Sequence, residues 1–514
     1  MTDLPQRRPR RRSGSHHEVE RTYTPGGEVG ATDDLALPDL VGAGPVTALG
    51  RAGTAELDAT YHDTVDLRLT RAGITLRRRE GGGDEGWHLK LPVGAGRDEV
   101  HRPLGRAATP PKPLRDLVTA WTAGADVAPV ARIRTERTTH DLVGADGAVL
   151  AEVADDRTTA MRDDTVVLAW REVEVELVDG DEDLLDAVEE QLLAAGFVPA
   201  AVGRKIERAL ADVLPEAEEA PRISTKRPVH RLVHARLVEQ LDAFRRHEVE
   251  VRRRRPDGVH QARVAARRLR AALRTFSPLF EGDAADDLQR RLQTFTRALG
   301  PERDLEVAAE RLEAALADTP ADLLVGPVRT RLRAVVREQM KGHRAATAVE
   351  LDSPRHLELL TALDRFVADP PWAPEAKRRT RDVVPPLLAK DRKRVGKRFA
   401  AAEDDDGLHR ARSALKRLRY AGEAAVTAYG DDAERVAKTA KHVQQPLGTL
   451  QDTRLSRQLV RDVAAAADAA GESSFTYGIW HEWEVLAAEE ARELARARWA
   501  RAHKRRKGRG LRLS

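Results

Sequence analysis

Hydrophobic and polar residues alternate along the first part of the chain, whereas in the rest they recur with helical spacing. From about residue 18 to residue 177, short segments such as 170–178 place apolar side chains at every second position, and Gly, Asp and Pro separate them. This pattern is typical of antiparallel strands. Helices are predicted within this part at 114–123 and 184–195. After Val229, apolar residues recur three and four positions apart, which predicts a helical region.

A short stretch rich in Pro and Glu interrupts both patterns. Pro215, the acidic run 216–219 and Pro221 favour neither strand nor helix. We therefore expect an α+β multidomain protein in which a strand-rich part precedes an all-α part. The predicted segments are a disordered basic arm at 1–15, a strand-rich domain at 16–213, a linker at 214–228, a helical domain at 229–501 and a basic tail at 502–514.

Composition narrows the classes of protein that remain. The chain has 514 residues, which suits two or three domains, and no cysteine, which excludes disulfides, thiolate metal sites and cysteine nucleophiles. No apolar run approaches the roughly 20 residues of a membrane-spanning helix, and the basic N-terminal stretch lacks the apolar segment of a secretory signal. We expect a cytoplasmic protein without membrane contact.

Charge is distributed unevenly along the chain. Residues 1–220 carry a net charge of −14 and residues 221–514 carry +18, so the second part is expected to bind an anion.

Acidic and basic residues share strand faces in the first part. Side chains two positions apart point the same way, which groups Glu172 with Glu174 and Arg77 with Arg79. Paired carboxylates favour a hard cation with oxygen ligands, and paired bases suit phosphate oxygens. Together they suit a polyanion with a bound metal ion. The solvent-facing side of an ordinary half-buried strand looks the same, however, and alternation by itself favours that simpler interpretation.

Four segments of this part resemble motifs of the CYTH family. They are 18–21, 61–79, 87–92 and 171–176. The family comprises the triphosphate tunnel metalloenzymes, among them inorganic triphosphatases, thiamine triphosphatases and class IV adenylyl cyclases. The resemblance covers roughly residues 16–213. It implies an eight-stranded antiparallel tunnel with a charged interior, and hydrolysis of tripolyphosphate or a related triphosphate with Mg²⁺ or Mn²⁺ as cofactor.

The same resemblance implies the residues of the site. The implied metal ligands are Glu18, Glu20, Asp156, Glu172 and Glu174. The implied phosphate-side bases are Arg77, Arg79, Lys90, Arg137 and Lys205, with Arg134 as the alternative to Arg137 because the parity of that strand is open. Glu18, Glu20, Lys90 and Lys205 are expected to be catalytic. One position departs from the family pattern: Thr22 stands where the opening motif has a lysine, so either another base substitutes, or activity is lowered, or the tunnel only binds.

Histidine and basic residues form a stripe that occurs twice in the helical part. His260, Arg263, Arg267, Arg270 and Arg274 are spaced three and four apart, which places them on one side of a helix. His409, Arg412, Lys416 and Arg419 repeat the spacing, and a Leu-Gly pair follows each histidine after nearly equal intervals. The repetition predicts an internal duplication. Like charges at this spacing repel, so an extended anion lying across both helices is the economical explanation, and a solubilising surface is the simpler alternative.

The helical part resembles the CHAD family of histidine-bearing α-helical domains. Segments 259–270 and 408–420 carry the resemblance, which covers about 225–500. It implies a helical bundle with a basic surface that binds inorganic polyphosphate, behind a CYTH domain as here. Further candidates for this surface are Arg290, Arg291, Lys438 and Lys441.

Three functions follow from these patterns. The first is a metal-dependent triphosphatase whose helical domain binds polyphosphate, in the cytoplasm and in association with polyphosphate granules. The second is a polyphosphate-binding or scaffold protein with a degenerate tunnel, which Thr22 supports. The third is nucleic-acid binding, which a chain with 4% aromatic residues disfavours but leaves open, because few rings are available to stack on bases. The sequence leaves the oligomeric state and preferred metal undetermined.

Overall fold

The computed structural model describes residues 15–26, 35–50, 53–93, 96–201, 204–215, 221–504 and Leu513, and for residues 15–18 the backbone alone. The predicted basic arm at 1–15 and basic tail at 502–514 therefore lie mostly outside the described residues. The chain divides into two compact units, Met1–Glu218 and Glu219–Ser514. The boundary between them falls inside the segment 214–228.

The first unit combines a large antiparallel sheet with short helices. Its described strands are β1 (Ser15–Glu18), β2 (Glu20–Pro25), β3 (Val46–Leu49), β4 (Gly53–Asp63), β5 (Thr75–Glu80), β6 (Gly86–Val93), β7 (Gly96–Arg102), β8 (Ala128–Gly144), β9 (Val149–Arg162), β10 (Thr165–Leu177) and β11 (Phe197–Pro199). Its described helices are α1 (Arg68–Arg71), α2 (Lys112–Thr122), α3 (Glu182–Ala194) and α4 (Lys205–Ala209).

The N-terminal segment closes this sheet into a tunnel. The strand order is β1-β7-β6-β5-β4-β8-β9-β10-β2-β11, with β3 beside β8. Only Val19 separates β1 from β2, and its carbonyl accepts a hydrogen bond from the backbone of Leu177. Because this one segment pairs with β7 at one end and with β10 at the other, the sheet has no free edge there. Counted as one strand, β1 and β2 complete a ring with β4 to β10, which confirms the predicted antiparallel tunnel of eight strands.

On β10, the apolar face of the tunnel wall points outward and the polar face inward. Val173 and Val175 of β10 are fully buried in a core that includes Leu184 and Val188 of α3. Successive residues of a strand point to opposite faces. The glutamates between these valines therefore point into the tunnel, because α3 covers the outer face.

A buried aspartate holds the turn between β4 and α1. Asp63 is 1% exposed, and its two carboxylate oxygens accept hydrogen bonds from the backbone N–H groups of Thr64, Leu69 and Thr70 and from the Thr70 hydroxyl. This aspartate belongs to the 61–79 segment that resembles the CYTH family. Its role in the structure is to satisfy backbone donors at the start of a short helix.

The second unit is entirely helical apart from two isolated bridges among its described residues. Its α-helices are α5 (Val229–Arg252), α6 (Gly258–Thr275), α7 (Ala284–Ala298), α8 (Gly300–Asp318), α9 (Val328–Leu351), α10 (Pro354–Ala368), α11 (Thr380–Ala400), α12 (Asp405–Tyr429), α13 (Asp431–Asp468) and α14 (Phe475–Lys504). Over the described part of the chain, every helix is either too short or too polar to span a membrane.

The two basic stripes occupy equivalent helices, but the segments that follow them differ. The first stripe lies on α6 and the second on α12. In the first half, the Leu-Gly pair 299–300 separates α7 from α8. In the second half the corresponding pair 447–448 lies inside α13, one continuous helix of 38 residues that also contains Pro446. The predicted duplication is therefore preserved in the stripes and altered in their supporting helices.

We predict that Asp63→Ala destabilises the chain. The change leaves buried backbone N–H groups without acceptors, which should cost about 2–4 kcal/mol of unfolding free energy. Urea-induced unfolding of the full chain measures this cost. The control is Asp66→Ala, since Asp66 is half-exposed and pairs with Arg68 at the surface. Equal unfolding midpoints for the two variants would contradict the structural role of Asp63.

Candidate functional site

Three carboxylates converge inside the tunnel. Asp156 on β9 lies directly across from Glu172 on β10, and Glu174 follows on the same face. Asp156 is 0% exposed and Glu172 is 2% exposed. One ligand oxygen from each of the three lies within 4.8 Å of the others. Carboxylates this close and this buried require compensating cations.

Two basic side chains neutralise this carboxylate group. The Arg137 guanidinium on β8 donates to both oxygens of Asp156 at 2.8 and 2.6 Å and to Glu174 at 2.5 Å. Lys205 Nζ, at the start of α4, donates to Glu174 at 2.5 Å and lies 2.9 Å from Asp156 Oδ2. It also lies 2.5 Å from Glu172 Oε1, in an ion pair whose angles fall outside those of a hydrogen bond.

The charges in this group shift one another's pKa values strongly. Burial by itself lowers the pKa of Lys205, but its carboxylate neighbours, Glu174 first, outweigh burial and raise that pKa. Burial raises the pKa of Glu174, but the cations Lys205 and Arg137 outweigh burial and hold it well below its usual range. Lys90 on β6 lowers it further. Glu174 and Lys205 are therefore both charged at neutral pH.

Arginines of β5 face the same interior. Arg77 donates to the Tyr61 hydroxyl at 3.2 Å, and the negative charge of Glu99 helps to raise its pKa despite burial. Burial, and then the neighbouring charge of Arg77, lower the pKa of Arg79 to about 10. Arg137 lowers the pKa of both arginines, so the three guanidiniums share one electrostatic environment. An anion bound among them would relieve their repulsion.

The N-terminal motif lies at the edge of this group. Thr22 lies directly across from Glu174, the carboxylate that Lys205 holds. Glu20 pairs in register with Glu176, and its carboxylate accepts a hydrogen bond from Arg97 at 2.7 Å. The side chain of Glu18 lies outside the described residues, although its backbone pairs with Arg97. The structure thus brings Asp156, Glu172 and Glu174 together and holds Glu20 on a separate cation.

The register of β8 separates the two alternative arginines. Arg137 contacts the carboxylate group, whereas Arg134, three residues earlier, lies on the opposite face, where its Nε donates to Asp58 at 3.3 Å. The Arg134 side chain is 58% exposed. A regular pairing with β9 runs through both positions, so their parity is fixed by the sheet and not by local sequence.

The donor set fits a hard divalent cation. Three carboxylates supply oxygen atoms alone, which suits Mg²⁺ or Mn²⁺. Glu172 Oε1 is buried and lies 2.5 Å from Lys205 Nζ, so an ion bound there would take the place of that ammonium group. The other oxygen of Glu172 accepts from Trp170 Nε1 at 2.8 Å and from Arg208 at 3.1 Å, which fixes its orientation. Trp170, Arg208 and Tyr61 were not identified from the sequence.

In the helical unit, the two stripes act on each other electrostatically. Arg267 of α6 lowers the pKa of Arg412 and of Lys416, both on α12. For Lys416 burial is the main cause, followed by the charges of Arg412 and Arg267, and its pKa lies well below the usual range. The duplicated stripes are therefore one basic surface, to which both halves contribute.

This surface is incompletely neutralised. The buried Nε atoms of four arginines have no hydrogen-bond partner among the described residues. They belong to Arg263, Arg267, Arg303 and Arg412. Asp304 opposes Arg263, and at the equivalent place in the second half burial lowers the pKa of Arg412 more than the charge of Asp452 raises it. Burial, followed by nearby arginines, lowers the pKa values of His260 and His409, so both imidazoles are kept neutral.

The remaining predicted residues divide between a cavity and the surface. Arg270, Arg274 and Arg290 line a cavity of about 490 Å³, together with Lys390, Arg394 and Arg417, which the sequence pattern did not identify. Arg419 pairs with Glu423 at 2.8 Å. Arg291 is neutralised by Asp287 and Glu358, and the exposed Lys438 pairs with Glu434. Lys441 is exposed. Arg291, Lys438 and Lys441 are therefore either paired with carboxylates or exposed to solvent.

Known proteins match both units. The CYTH domain model matches residues 47–196 and the CHAD domain model matches residues 235–461. "Uncharacterized protein MT2285" of Mycobacterium tuberculosis (strain CDC 1551 / Oshkosh) is 36% identical over 511 residues, which cover 94% of this chain and 95% of the relative.

Two solved structures are similar to parts of the chain. PptA from Streptomyces chartreusis is 20% identical with a TM-score of 0.44, over 53% of this chain and 99% of that one. The CHAD domain from the plant Ricinus communis is 23% identical with a TM-score of 0.41, over 58% of this chain and 96% of that one. From the two domain matches and the relative that spans nearly its whole length, the chain belongs to the family of proteins in which a CYTH domain of the triphosphate tunnel fold precedes a CHAD domain.

Proposed function

We propose that the CYTH domain hydrolyses tripolyphosphate or a related triphosphate with a divalent metal ion, and that the CHAD domain binds inorganic polyphosphate. The observation that carries the proposal is the convergence of Asp156, Glu172 and Glu174 with guanidinium and ammonium groups inside one closed tunnel. Phosphoryl transfer is mainly a matter of positioning and charge neutralisation. A polyanion with bound metal ions matches both halves of this interior.

The acidic and basic residues of the tunnel would have different roles in this reaction. Asp156, Glu172 and Glu174 would hold Mg²⁺ or Mn²⁺, which when bound polarises phosphoryl oxygens and orients the attacking water. Arg77, Arg79 and Arg137 would bind phosphate oxygens, because guanidinium groups match those oxygens and Arg79, whose pKa burial and Arg77 lower to about 10, lacks sufficient negative charge nearby. Lys205 would exchange its carboxylate contacts for substrate once a metal ion neutralises those carboxylates. We also propose that the hydrolysis involves Lys90, Glu18 and Glu20.

The CHAD domain would bind a long phosphate chain along the joined stripes. Among the described residues, the Nε donors of Arg263, Arg267 and Arg412 have no hydrogen-bond acceptor. Polyphosphate supplies such acceptors at every unit and needs no aromatic stacking. Arg270, Arg274, Arg290 and Arg419 would extend this surface, with His260 and His409 as neutral donors, whereas Arg291, Lys438 and Lys441 would contribute at its periphery.

A second candidate function is a tunnel that binds without turnover. Thr22 favours it, because a threonine brings no charge toward Glu174. Lys205 and Arg137 favour the enzyme, because both already lie 2.5 Å from that carboxylate. The variants below distinguish the two functions.

We predict that Glu174→Gln lowers tripolyphosphate hydrolysis roughly 100-fold or more. Loss of one carboxylate weakens the hold on a metal ion worth several kcal/mol of transition-state stabilisation. Phosphate release with Mn²⁺ or Mg²⁺ is the measurement. The control is Glu136→Gln, since Glu136 is an exposed glutamate on β8. Equal rates in the two variants, or no release by the parent chain with either ion, would refute the enzymatic proposal.

We predict that Thr22→Lys changes the rate by no more than a few-fold. The charge that a lysine would bring to Glu174 is already supplied by Lys205 and Arg137. The same phosphate-release assay measures it, with Thr24→Lys on the same strand as the control. A gain of about 100-fold, comparable to restoring a missing transition-state contact, would instead support the binding-only tunnel.

We predict that Lys416→Met stabilises the free protein and weakens polyphosphate binding. The Lys416 charge is disfavoured by burial and by Arg412, which makes it costly until an anion arrives. Thermal unfolding should shift upward, and affinity for long-chain polyphosphate at fixed salt should fall about 10-fold or more. The control is the exposed Lys438→Met.

The same binding assay tests whether the CHAD domain also binds nucleic acid. RNA added as a competitor at fixed salt should displace polyphosphate weakly if the CHAD domain recognises phosphate chains. Unchanged polyphosphate affinity in Lys416→Met would contradict the assignment of the stripe.

A further inference from the structure

A second group of potential metal ligands lies beside the turn between β5 and β6. Asp84 lies in that turn, His88 on β6 and His101 on β7, and one ligand atom from each lies within 4.8 Å of the others. The two histidines are directly opposed across the strands, with ring centroids 4.8 Å apart. His101 Nε2 is 3.7 Å from Asp84 Oδ1. The group shares no residue with the carboxylate group of Asp156, Glu172 and Glu174.

His88 is held between two hydrogen-bond acceptors. Its Nδ1 lies 2.7 Å from Glu99 Oε1, and its Nε2 lies 3.0 Å from the backbone carbonyl of Asp84. A neutral imidazole has a single N–H and cannot donate to both. With the proton on Nδ1, the Nε2 lone pair faces a carbonyl oxygen. A cation beside the ring would turn this repulsion into attraction.

Protonation of the ring is the alternative way to satisfy both acceptors, and the surroundings oppose it. Burial lowers the pKa of His88 more than the hydrogen bond to Glu99 raises it, and Arg77 and Arg79 lower it further. The His88 side chain is 1% exposed, so water cannot supply the missing donor from outside. A neutral imidazole is also the form that binds metal ions.

We propose that Asp84, His88 and His101 bind a transition-metal ion through two imidazole nitrogens and one carboxylate oxygen. Imidazole ligands suit Zn²⁺, Fe²⁺ or Ni²⁺, whereas Mg²⁺ prefers oxygen atoms alone. Glu99 would be the outer partner, because a carboxylate hydrogen-bonded to Nδ1 of His88 fixes the tautomer in which Nε2 is the ligand and strengthens that ligand. Three protein ligands leave coordination positions for water or for a phosphate oxygen.

The ion would also change the partner of an arginine in the tunnel. Arg79 Nη2 now donates to Asp84 Oδ2 at 2.8 Å and to the Asp84 carbonyl at 2.8 Å. An ion on the Asp84 carboxylate would take over its charge and release Arg79 toward the other guanidiniums. Binding of the ion would therefore be coupled to the charge available for phosphate.

Zn²⁺ binding to the metal-stripped full chain tests the proposal. The titration is done in excess Mg²⁺, which competes for the all-oxygen group and poorly for imidazoles, and a chromogenic chelator reports free Zn²⁺. We expect one tight Zn²⁺ site in the parent chain, and affinity at least about 10-fold lower in His101→Ala and in Asp84→Asn. The His101 side chain is 20% exposed, so its truncation is the less disruptive variant, and thermal unfolding checks that it folds.

Two controls identify where the ion binds. His140→Ala removes a histidine of the same unit that belongs to no such group among the described residues, and it should keep the site. The double change His16→Ala, His17→Ala should also keep it, although adjacent histidines can bind Zn²⁺ by themselves. Co²⁺ gives an independent readout, because nitrogen ligation intensifies its visible absorption, and this signal should disappear in His101→Ala.

Equal Zn²⁺ affinity in the parent chain and in His101→Ala would overturn the proposal. Loss of the site only in the His16, His17 double variant would overturn it as well. The test measures binding without turnover, so its outcome is independent of whether the tunnel hydrolyses triphosphate.

Discussion

The tunnel depends on charge compensation in an enclosed space. Asp156 and Glu172 are almost fully buried, and Arg137 and Lys205 lie within 2.5 to 2.9 Å of the group as its compensating cations. Removing one partner of a buried pair leaves an uncompensated charge, which is more costly than the pair was beneficial. The closed sheet, the position of α4 and the orientation of β8 are therefore tied to one another through these contacts. A ligand can enter only by exchanging some of them.

In the CHAD domain, by contrast, carboxylates compensate the basic side chains only in part. Its half-buried stripe has more guanidinium and ammonium groups than carboxylates, several of its Nε donors have no partner among the described residues, and burial with neighbouring cations holds the pKa of Lys416 well below its usual range. A fold does not gain stability from such an arrangement. The tunnel is thus nearly neutral before it binds anything, whereas the basic surface stores repulsion that an anion relieves. This difference explains why the same class of ligand would be held for chemistry in one domain and for binding alone in the other.

A single sequence motif contains residues that face the tunnel and residues that stabilise the fold. Within the segment that resembles the CYTH family, Arg77 and Arg79 face the tunnel, whereas Asp63 accepts hydrogen bonds from the backbone of a short helix. Both kinds of residue carry the resemblance equally well. The resemblance to the CYTH family groups Glu20 and Glu174 as metal ligands, but Arg97 holds Glu20 while Lys205 holds Glu174. Sequence spacing determines which face a side chain occupies, and it does not determine which cation lies across from it.

The resemblance to the CYTH family implied most of the charged residues that meet in the tunnel. The sequence by itself determined the order of the two domains, the strand and helix periods and the duplicated stripe. Those features depend on the spacing of residues along the chain, which can be read directly from the sequence. Tertiary structure alone decided that the polar strand face points inward, because α3 covers the apolar face. It also decided that Arg137 and not Arg134 meets the carboxylates, and that Lys390, Arg394 and Arg417 join the stripe. These outcomes depend on register and on helices distant in sequence, which bring together residues whose spacing along the chain carries no periodic signal.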